Sequence, residues 1–402
     1  MEVYVARQPI FDKRKKVFGY ELLYRSGTEN YYNHYDGDQA TSNVITNSFS
    51  IIGIDVLTGG KKAFVNFTHN LLRNEMVTVL PPDKVAVEIL EDIEPDDETI
   101  EICKNLKKMG YTLVLDDFVT VNQISPLVDI ADIIKVDFLK SSVEERKLLV
   151  EKIGLDRIKF LAEKVETEAD FEEALKMGYS YFQGFFFSKP DIFSGQDLPA
   201  YKLNYLRIIR EVNQPEIEFN ELEEIIKQDI AISYKLLRLI NSAAFGLNTK
   251  ITSIKYALVL LGIKEFVKWV TLIALRGIGE DKPDELIISS LIRAKFAENL
   301  APVMGLKDES PDLFLMGMFS MIDAMLDRPL DEIMTELPIS QKIKDALLGI
   351  ENNYKDIFDL ILSFERANWE KLVQHIEAMG LTEREIAPLY FDSLRWVKQI
   401  FE

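Results

Sequence analysis

The hydrophobic pattern of the chain changes once. Up to about residue 188, short runs of apolar, largely β-branched residues alternate with segments whose apolar positions recur every third or fourth residue. Beyond about residue 197 only the second pattern remains. In the first half the spacing predicts strands over 3–11 and 17–24 around a basic turn, then a helix over 38–57 stopped by Gly59-Gly60. Strands over 63–67, 84–90, 111–117, 132–138, 157–163 and 179–186 follow, with helices over 69–76, 96–109, 122–130, 141–153 and 167–177 between them. Strand and helix in strict alternation imply a parallel sheet with right-handed crossovers. The second half predicts helices over 199–212, 219–227, 230–240, 253–261, 263–276, 283–303, 311–325, 330–335, 340–348, 354–363, 367–378 and 382–400. The fold class is therefore α/β followed by all-α: a TIM-like (β/α)8 barrel over 1–190, a Pro- and Gly-containing linker over 191–199, and a helical domain over 200–402.

The predicted strands share a second feature, because each ends in a polar group. The series is Glu21, Asn66, Glu88, Asp116-Asp117, Lys135 with Asp137, Glu163 and Gln183. Ile133, Lys135 and Asp137 alternate with Ile134 and Val136, so Lys135 and Asp137 share one strand face. In a barrel these tips gather at the C-terminal mouth, where catalytic groups come from several strands. The acids and amides offer only oxygen, which suits Mg2+ or Mn2+ better than softer metals. Two such ions about 3.5 to 4 Å apart could bridge a phosphodiester and activate water, with Lys135 neutralising phosphoryl charge.

Composition narrows the options. A formal charge of -19 over 402 residues opposes an electrostatic grip on nucleic acid or an anionic membrane. Cys103 is the sole cysteine, which excludes an intramolecular disulfide, and its place in a helical pattern reads as a small apolar residue. The N-terminal residues lack the apolar core of a signal peptide, and the most apolar window, 256–275, is cut by Lys264, Glu265 and Lys268. A cytoplasmic protein without membrane insertion is expected. His69 reads as a helix-start surface residue and His34 as part of a polar loop.

Taken in order, Gln8-Pro-Ile10, Gly19-Tyr-Glu-Leu-Leu-Tyr-Arg25, Val65-Asn-Phe67, Val87-Glu-Ile-Leu-Glu91, Leu115-Asp-Asp-Phe118, Lys135-Val-Asp137, Ala162-Glu-Lys-Val-Glu-Thr167, Gln183-Gly-Phe185 and Ser188-Lys-Pro190 resemble the motif set of EAL domains. The resemblance covers about residues 1–190 and implies a metal-dependent phosphodiesterase opening cyclic di-GMP to linear pGpG. It implies metal ligation by Glu21, Asn66, Glu88, Asp116 and Asp117, with two Mg2+ or Mn2+ ions. Glu163 would be a further metal-side acid or the general base, Lys135 would assist the attacking water, and Gln183 would orient the site. Gln8 and Arg25 would contact the substrate, while Glu91, Asp137 and Glu166 would support the ligands from behind. The family also implies a homodimer formed through the barrel.

Two departures stand out. The loop after Asp117 reads Phe-Val-Thr-Val-Asn-Gln-Ile where the family pattern has Phe-Gly-Thr-Gly-Tyr-Ser-Ser, so it must take a path that needs no glycine. Lys164 also stands where the family has glycine. In the second half, Gln228 to Gly246 and Ile254 to Gly262 look like HDOD domains, and the two-domain layout resembles EAL-HDOD proteins of the YuxH type. HD hydrolases hold metal with His-Asp pairs, but Ser320 falls where the histidine belongs and the second half holds only His375. A non-catalytic regulatory domain with an unknown protein partner is expected. If the altered loop prevents turnover, a cyclic di-GMP receptor or a signalling scaffold is the alternative.

Overall fold

The computed structural model describes residues 3–26, 53–123, 125–188, 199–214, 217–241 and 251–401. Packing divides the chain into two compact units, Met1–Phe187 with Ser363–Gln374, and Ser188–Leu362 with His375–Glu402. Residues 191–198 of the expected linker, His34 and most of the helix expected over 38–57 lie outside the described residues.

The first unit is a closed eight-stranded barrel in chain order: β1 (Val3–Asp12), β2 (Val17–Ser26), β3 (Lys62–Phe67), β4 (Val85–Ile89), β5 (Thr112–Phe118), β6 (Ile133–Asp137), β7 (Lys159–Glu163) and β8 (Tyr181–Gln183). From β2 onward neighbouring strands are parallel. β1 instead runs antiparallel to both β2 and β8. The turn between β1 and β2 is the reason: Asp12 accepts the amides of Arg14 and Lys16 on its side chain, and so short a link can only make a hairpin. Gly19 of β2 permits close packing beside β3, since a Cβ there would stand 2.6 Å from the Lys62 carbonyl and 2.8 Å from the Phe64 ring.

The helices Asp97–Lys108, Val143–Ile153 and Glu168–Lys176 cover the barrel, each begun by a side-chain cap: Asp96, Ser142 and Thr167. Cys103 is fully buried on the first of these, and burial pushes its thiol up to about 11, in keeping with a packing role. The helix expected over 122–130 does not form. Pro126 lacks an amide donor and holds Ser125 in extended backbone, so two short 3-10 turns, Val121–Gln123 and Pro126–Asp129, replace it.

The second unit is all-α, as its period predicts. Glycine breaks the helix Ile254–Ile278 at Gly262, where φ is 75°, which reproduces the two helices read from the sequence. The segment 311–325 was expected as one helix but is two, Ser310–Phe319 and Ile322–Leu326. Ser320 lies at the break; its hydroxyl donates to the Gly317 carbonyl at 2.7 Å and accepts from Arg293 at 3.2 Å, competing with the helical ladder. Gly317 lets this helix approach Asp284–Val303 closely, because a Cβ would meet the Ala294 backbone at 2.2 Å. No helix among the described residues is long and apolar enough to cross a membrane.

The contact at Gly19 yields a test. Gly19→Ala should destabilise the barrel unit by about 1–3 kcal/mol through overpacking. An unchanged urea midpoint would mean that the β2 to β3 spacing tolerates a methyl group.

Candidate active site

The polar mouth of the barrel is laid one pleat above an apolar floor. Ile10, Phe64, Ala86, Val114, Ile133 and Leu161 form a buried layer inside the barrel. Two residues further along their strands come Asn66, Glu88, Asp116, Lys135 and Glu163. Since side chains two apart share a strand face, a packed floor fixes the direction of every polar tip above it. β2 contributes Glu21 and β8 contributes Gln183 to the same ring.

At its centre stands Lys135, fully buried. Its ammonium lies 3.0 Å from Asp116, 3.1 Å from Glu88, 3.1 Å from Glu163 and 3.3 Å from Glu21. Burial opposes its charge, but the four carboxylates outweigh that and hold its pKa well above the ordinary lysine value. Glu21 is likewise disfavoured by burial; Lys135, Gln183 and Asn66 nevertheless keep its carboxyl below the usual range. Gln183 donates to Glu21 at 2.6 Å and to Gln8 at 3.1 Å, and Asn66 donates to Glu21 at 3.2 Å. Glu88 and Glu163 respond in the other direction: burial lifts both, Glu163 to about 7. One ammonium cannot balance four carboxylates in so dry a place.

A second cluster lies beside the first. The β5 to β6 register shifts between Leu115 and Phe118, and Asp117 at this bulge has φ 51°, a left-handed conformation that aspartate tolerates. Its carboxylate accepts from Lys140 at 2.5 Å. Asp137, fully buried, accepts from the backbone amides of Leu139 and Lys140 and from Lys164 at 2.5 Å. Lys164, which stands where the family has glycine, itself has φ 56°. The glycine-free loop closes through Gln123, whose side chain accepts from the amides of Val119 and Thr120 at 2.6 and 2.9 Å and donates to the Asp117 carbonyl at 3.1 Å. Among its described residues only Asp117 takes a positive φ.

Comparison with known proteins agrees with this two-part architecture. An HDOD domain model matches residues 198–327. The uncharacterised protein YuxH of Bacillus subtilis is 39% identical over the full length of both chains. The cyclic di-GMP phosphodiesterase CdgJ of Vibrio cholerae is 35% identical, over 99% of this chain and 93% of its own. The chain belongs to the EAL-HDOD family. Among solved structures, an EAL domain protein from Listeria monocytogenes aligns at TM-score 0.36 and 20% identity, covering 46% of this chain and 87% of that one. The barrel is defined by its own strand order.

In this EAL-HDOD chain four of the residues expected to hold metal lie together, Glu21, Glu88 and Asp116 converging on Lys135 with Asn66 bonded to Glu21, while Asp117 faces Lys140 in the neighbouring cluster. Among the described residues no three Asp, Glu, His or Cys side chains form a ready-made metal cluster. The donor chemistry nevertheless fits a hard divalent cation: among the described residues, Asn66 Oδ1, Glu88 Oε2 and Gln183 Oε1 are buried acceptors with no hydrogen-bond donor, and Glu88 Oε1 has only the ion pair to Lys135. Glu91 and Glu166 are exposed, and the charge of Glu91 acts on Lys140. Arg25 pairs with Tyr4 on the β1–β2 ladder, and its side chain lies outside the described residues. His69 meets the Thr99 hydroxyl at 3.2 Å, within the helices beside the barrel. Lys140 and Gln123 were missed in the sequence. Neither ends a strand, although Gln123 falls inside the loop whose glycines are missing.

Lys135 is the basis of the next test. Lys135→Met leaves three buried acids and the half-buried Asp116 without their ammonium and should destabilise the barrel unit by about 3–5 kcal/mol in EDTA. Added Mn2+ should recover part of that loss in a thermal melt. Equal melting temperatures for variant and wild type in EDTA would show that the acids do not need this cation.

Proposed function

We propose that this protein is a cyclic di-GMP phosphodiesterase that opens its substrate to linear pGpG with the help of two Mg2+ or Mn2+ ions. The observation that carries the reading is the excess of carboxylate over ammonium around Lys135, four against one with three of the four buried, beside acceptors without donors. The similarity to CdgJ, named a cyclic di-GMP phosphodiesterase, extends over nearly the whole chain and supports the choice of substrate. Glu21, Asn66, Glu88, Asp116 and Asp117 would hold the ions. Bound there, they would supply a polarised water and positive charge for the phosphoryl oxygens.

The chain's own groups divide the remaining work. Glu163, lifted to about 7, has the right basicity to take a proton from water at neutral pH. Lys135 would offset negative charge growing on the phosphate, and Gln183 would fix Glu21 while linking it to Gln8. Gln8 and Arg25 would face the nucleotide. Asp137 would support the loop from behind through Lys164 and the 139–140 amides, with Glu91 and Glu166 nearby in sequence to other ligands. The barrel unit would form a homodimer, and the helical unit would regulate it through a protein partner. One observation favours a second reading, a receptor that binds without turnover: Lys140 and Lys164 already neutralise Asp117 and Asp137.

Incubation of the full chain with cyclic di-GMP and Mg2+ or Mn2+ should release pGpG, followed by chromatography, while binding is measured in parallel. Glu163→Ala should retain binding and lower kcat by about 10²- to 10⁴-fold, and Glu21→Ala should abolish metal-dependent turnover. Binding without metal-dependent product in wild type would establish the receptor instead. Lys164→Gly, which frees Asp117 of one ammonium, should tighten the weaker of two Mn2+ sites about tenfold in calorimetric titration. An unaltered isotherm would mean that Lys164 does not compete with the ion.

A further inference from the structure

From Ile230 to Lys264 the sequence contains no Asp or Glu, although the chain has 66 of them in 402 residues. At that frequency a stretch of this length would hold about six. It carries Lys235, Arg238, Lys250, Lys255 and Lys264 instead, within a chain of net charge -19. Two helices supply its described part, Ile230–Ile240 and the portion of Ile254–Ile278 that precedes the break at Gly262. They belong to the same packed unit and contact each other. Asn241 joins them, accepting from the Ile251 amide at 2.7 Å and donating to the Ile251 carbonyl at 2.8 Å.

Each helix is buried along one stripe, Ile232, Leu236 and Ile240 on the first and Ile254, Ala257 and Leu258 on the second. The opposite stripes are not the polar surface that a solvated helix presents. Ile230 is 84% exposed, Tyr234 63% and Val259 64%, with Tyr256 and Leu260 also open. Arg238 and Lys255 stand exposed among them, and neither has an ion-pair partner among the described residues. Lys235 reaches the Tyr205 hydroxyl at 3.4 Å. Aromatic and aliphatic anchors interspersed with cations, with no anion within the stretch itself, suit an amphipathic segment rich in Asp and Glu.

We propose that this face of the helical unit docks an acidic, amphipathic peptide segment of another protein. Charge selects the occupant: the apolar anchors alone would accept many surfaces, but the acid-free stretch favours an acidic one and repels basic ones. The inference deepens the interaction role proposed for the helical unit and is independent of turnover in the barrel.

The test is to pan a phage library of random 16-residue peptides against the full chain and measure the winners by fluorescence anisotropy. The enriched peptides should carry several Asp or Glu beside aliphatic or aromatic residues, and should bind more weakly as NaCl rises from 50 to 500 mM. Arg238→Glu with Lys255→Glu should weaken them about tenfold or more, as should Tyr234→Ser with Val259→Ser; circular dichroism would show that these exposed positions leave the fold intact. Peptides that are not acidic overturn the proposal. Acidic peptides indifferent to both double variants would refute this surface while leaving an interaction role elsewhere on the unit. Failure to enrich any peptide would count against both. Tighter binding of phosphatidylglycerol vesicles or oligothymidylate to the same face, or self-association lost in Tyr234→Ser with Val259→Ser, would assign the surface to a membrane, a nucleic acid or a second copy.

Discussion

The barrel is organised around the Lys135 ammonium, which ties β6 to carboxylates from β2, β4, β5 and β7. A buried ammonium is tolerated only when anions surround it, and buried carboxylates only when cations or protons do. Neither requirement can be met locally, since the partners come from strands separated by as many as 114 positions in sequence. Correct strand order is therefore a condition for satisfying the charges. The apolar layer of Phe64, Ala86, Val114, Ile133 and Leu161 adds the second constraint, because a slip of one residue in any of these strands would turn its polar tip outward.

The same logic explains the edge of the site. Asp117 and Lys164 both occupy left-handed backbone, and the conformation costs lysine about 1 kcal/mol or more, with aspartate better adapted to it. Glycine at position 164 would remove that cost. The lysine gains contacts a glycine could not make, an ion pair to Asp137 and proximity to Asp117. Gln123 plays a comparable part in the loop, where its amide satisfies backbone groups that a glycine-containing turn would satisfy by bending. The outer half of the site thus carries more built-in positive charge than the inner half, and the two halves place different demands on any cation that binds.

Much of this architecture was legible in the sequence because it depends on periods. Alternation located the strands within a residue or two, except that β8 was read to 186 and ends at Gln183, and the 3.6-residue repeat separated even the two helices divided by Gly262. The polar tips were legible for the same reason: Lys135 and Asp137 share a face because they are two apart. The antiparallel β1 was implicit in its short turn but masked by the regular alternation that follows. The split at Ser320 and the loss of the helix over 122–130 were not legible, since each depends on a tertiary contact or on one proline overriding a helical pattern. Lys140 and Gln123 escaped for a related reason, because loop side chains have no periodicity and their partners are known only once the barrel closes.

Charge orders the events that the proposed reaction would require. Cyclic di-GMP would bring phosphate charge to a mouth that already has more carboxylates than ammonium groups. Protonation of Glu88 and Glu163 can relieve this crowding when no cation is near, as their raised basicity indicates. A protonated Glu163 cannot accept a proton, so relief by protons and action as a base exclude each other. Divalent cations would resolve the conflict, because their charge would favour the ionised carboxylates while also neutralising the incoming phosphate. In the proposed reaction, productive binding of the anion would therefore depend on prior or simultaneous binding of cations, and the site's excess negative charge would couple the two.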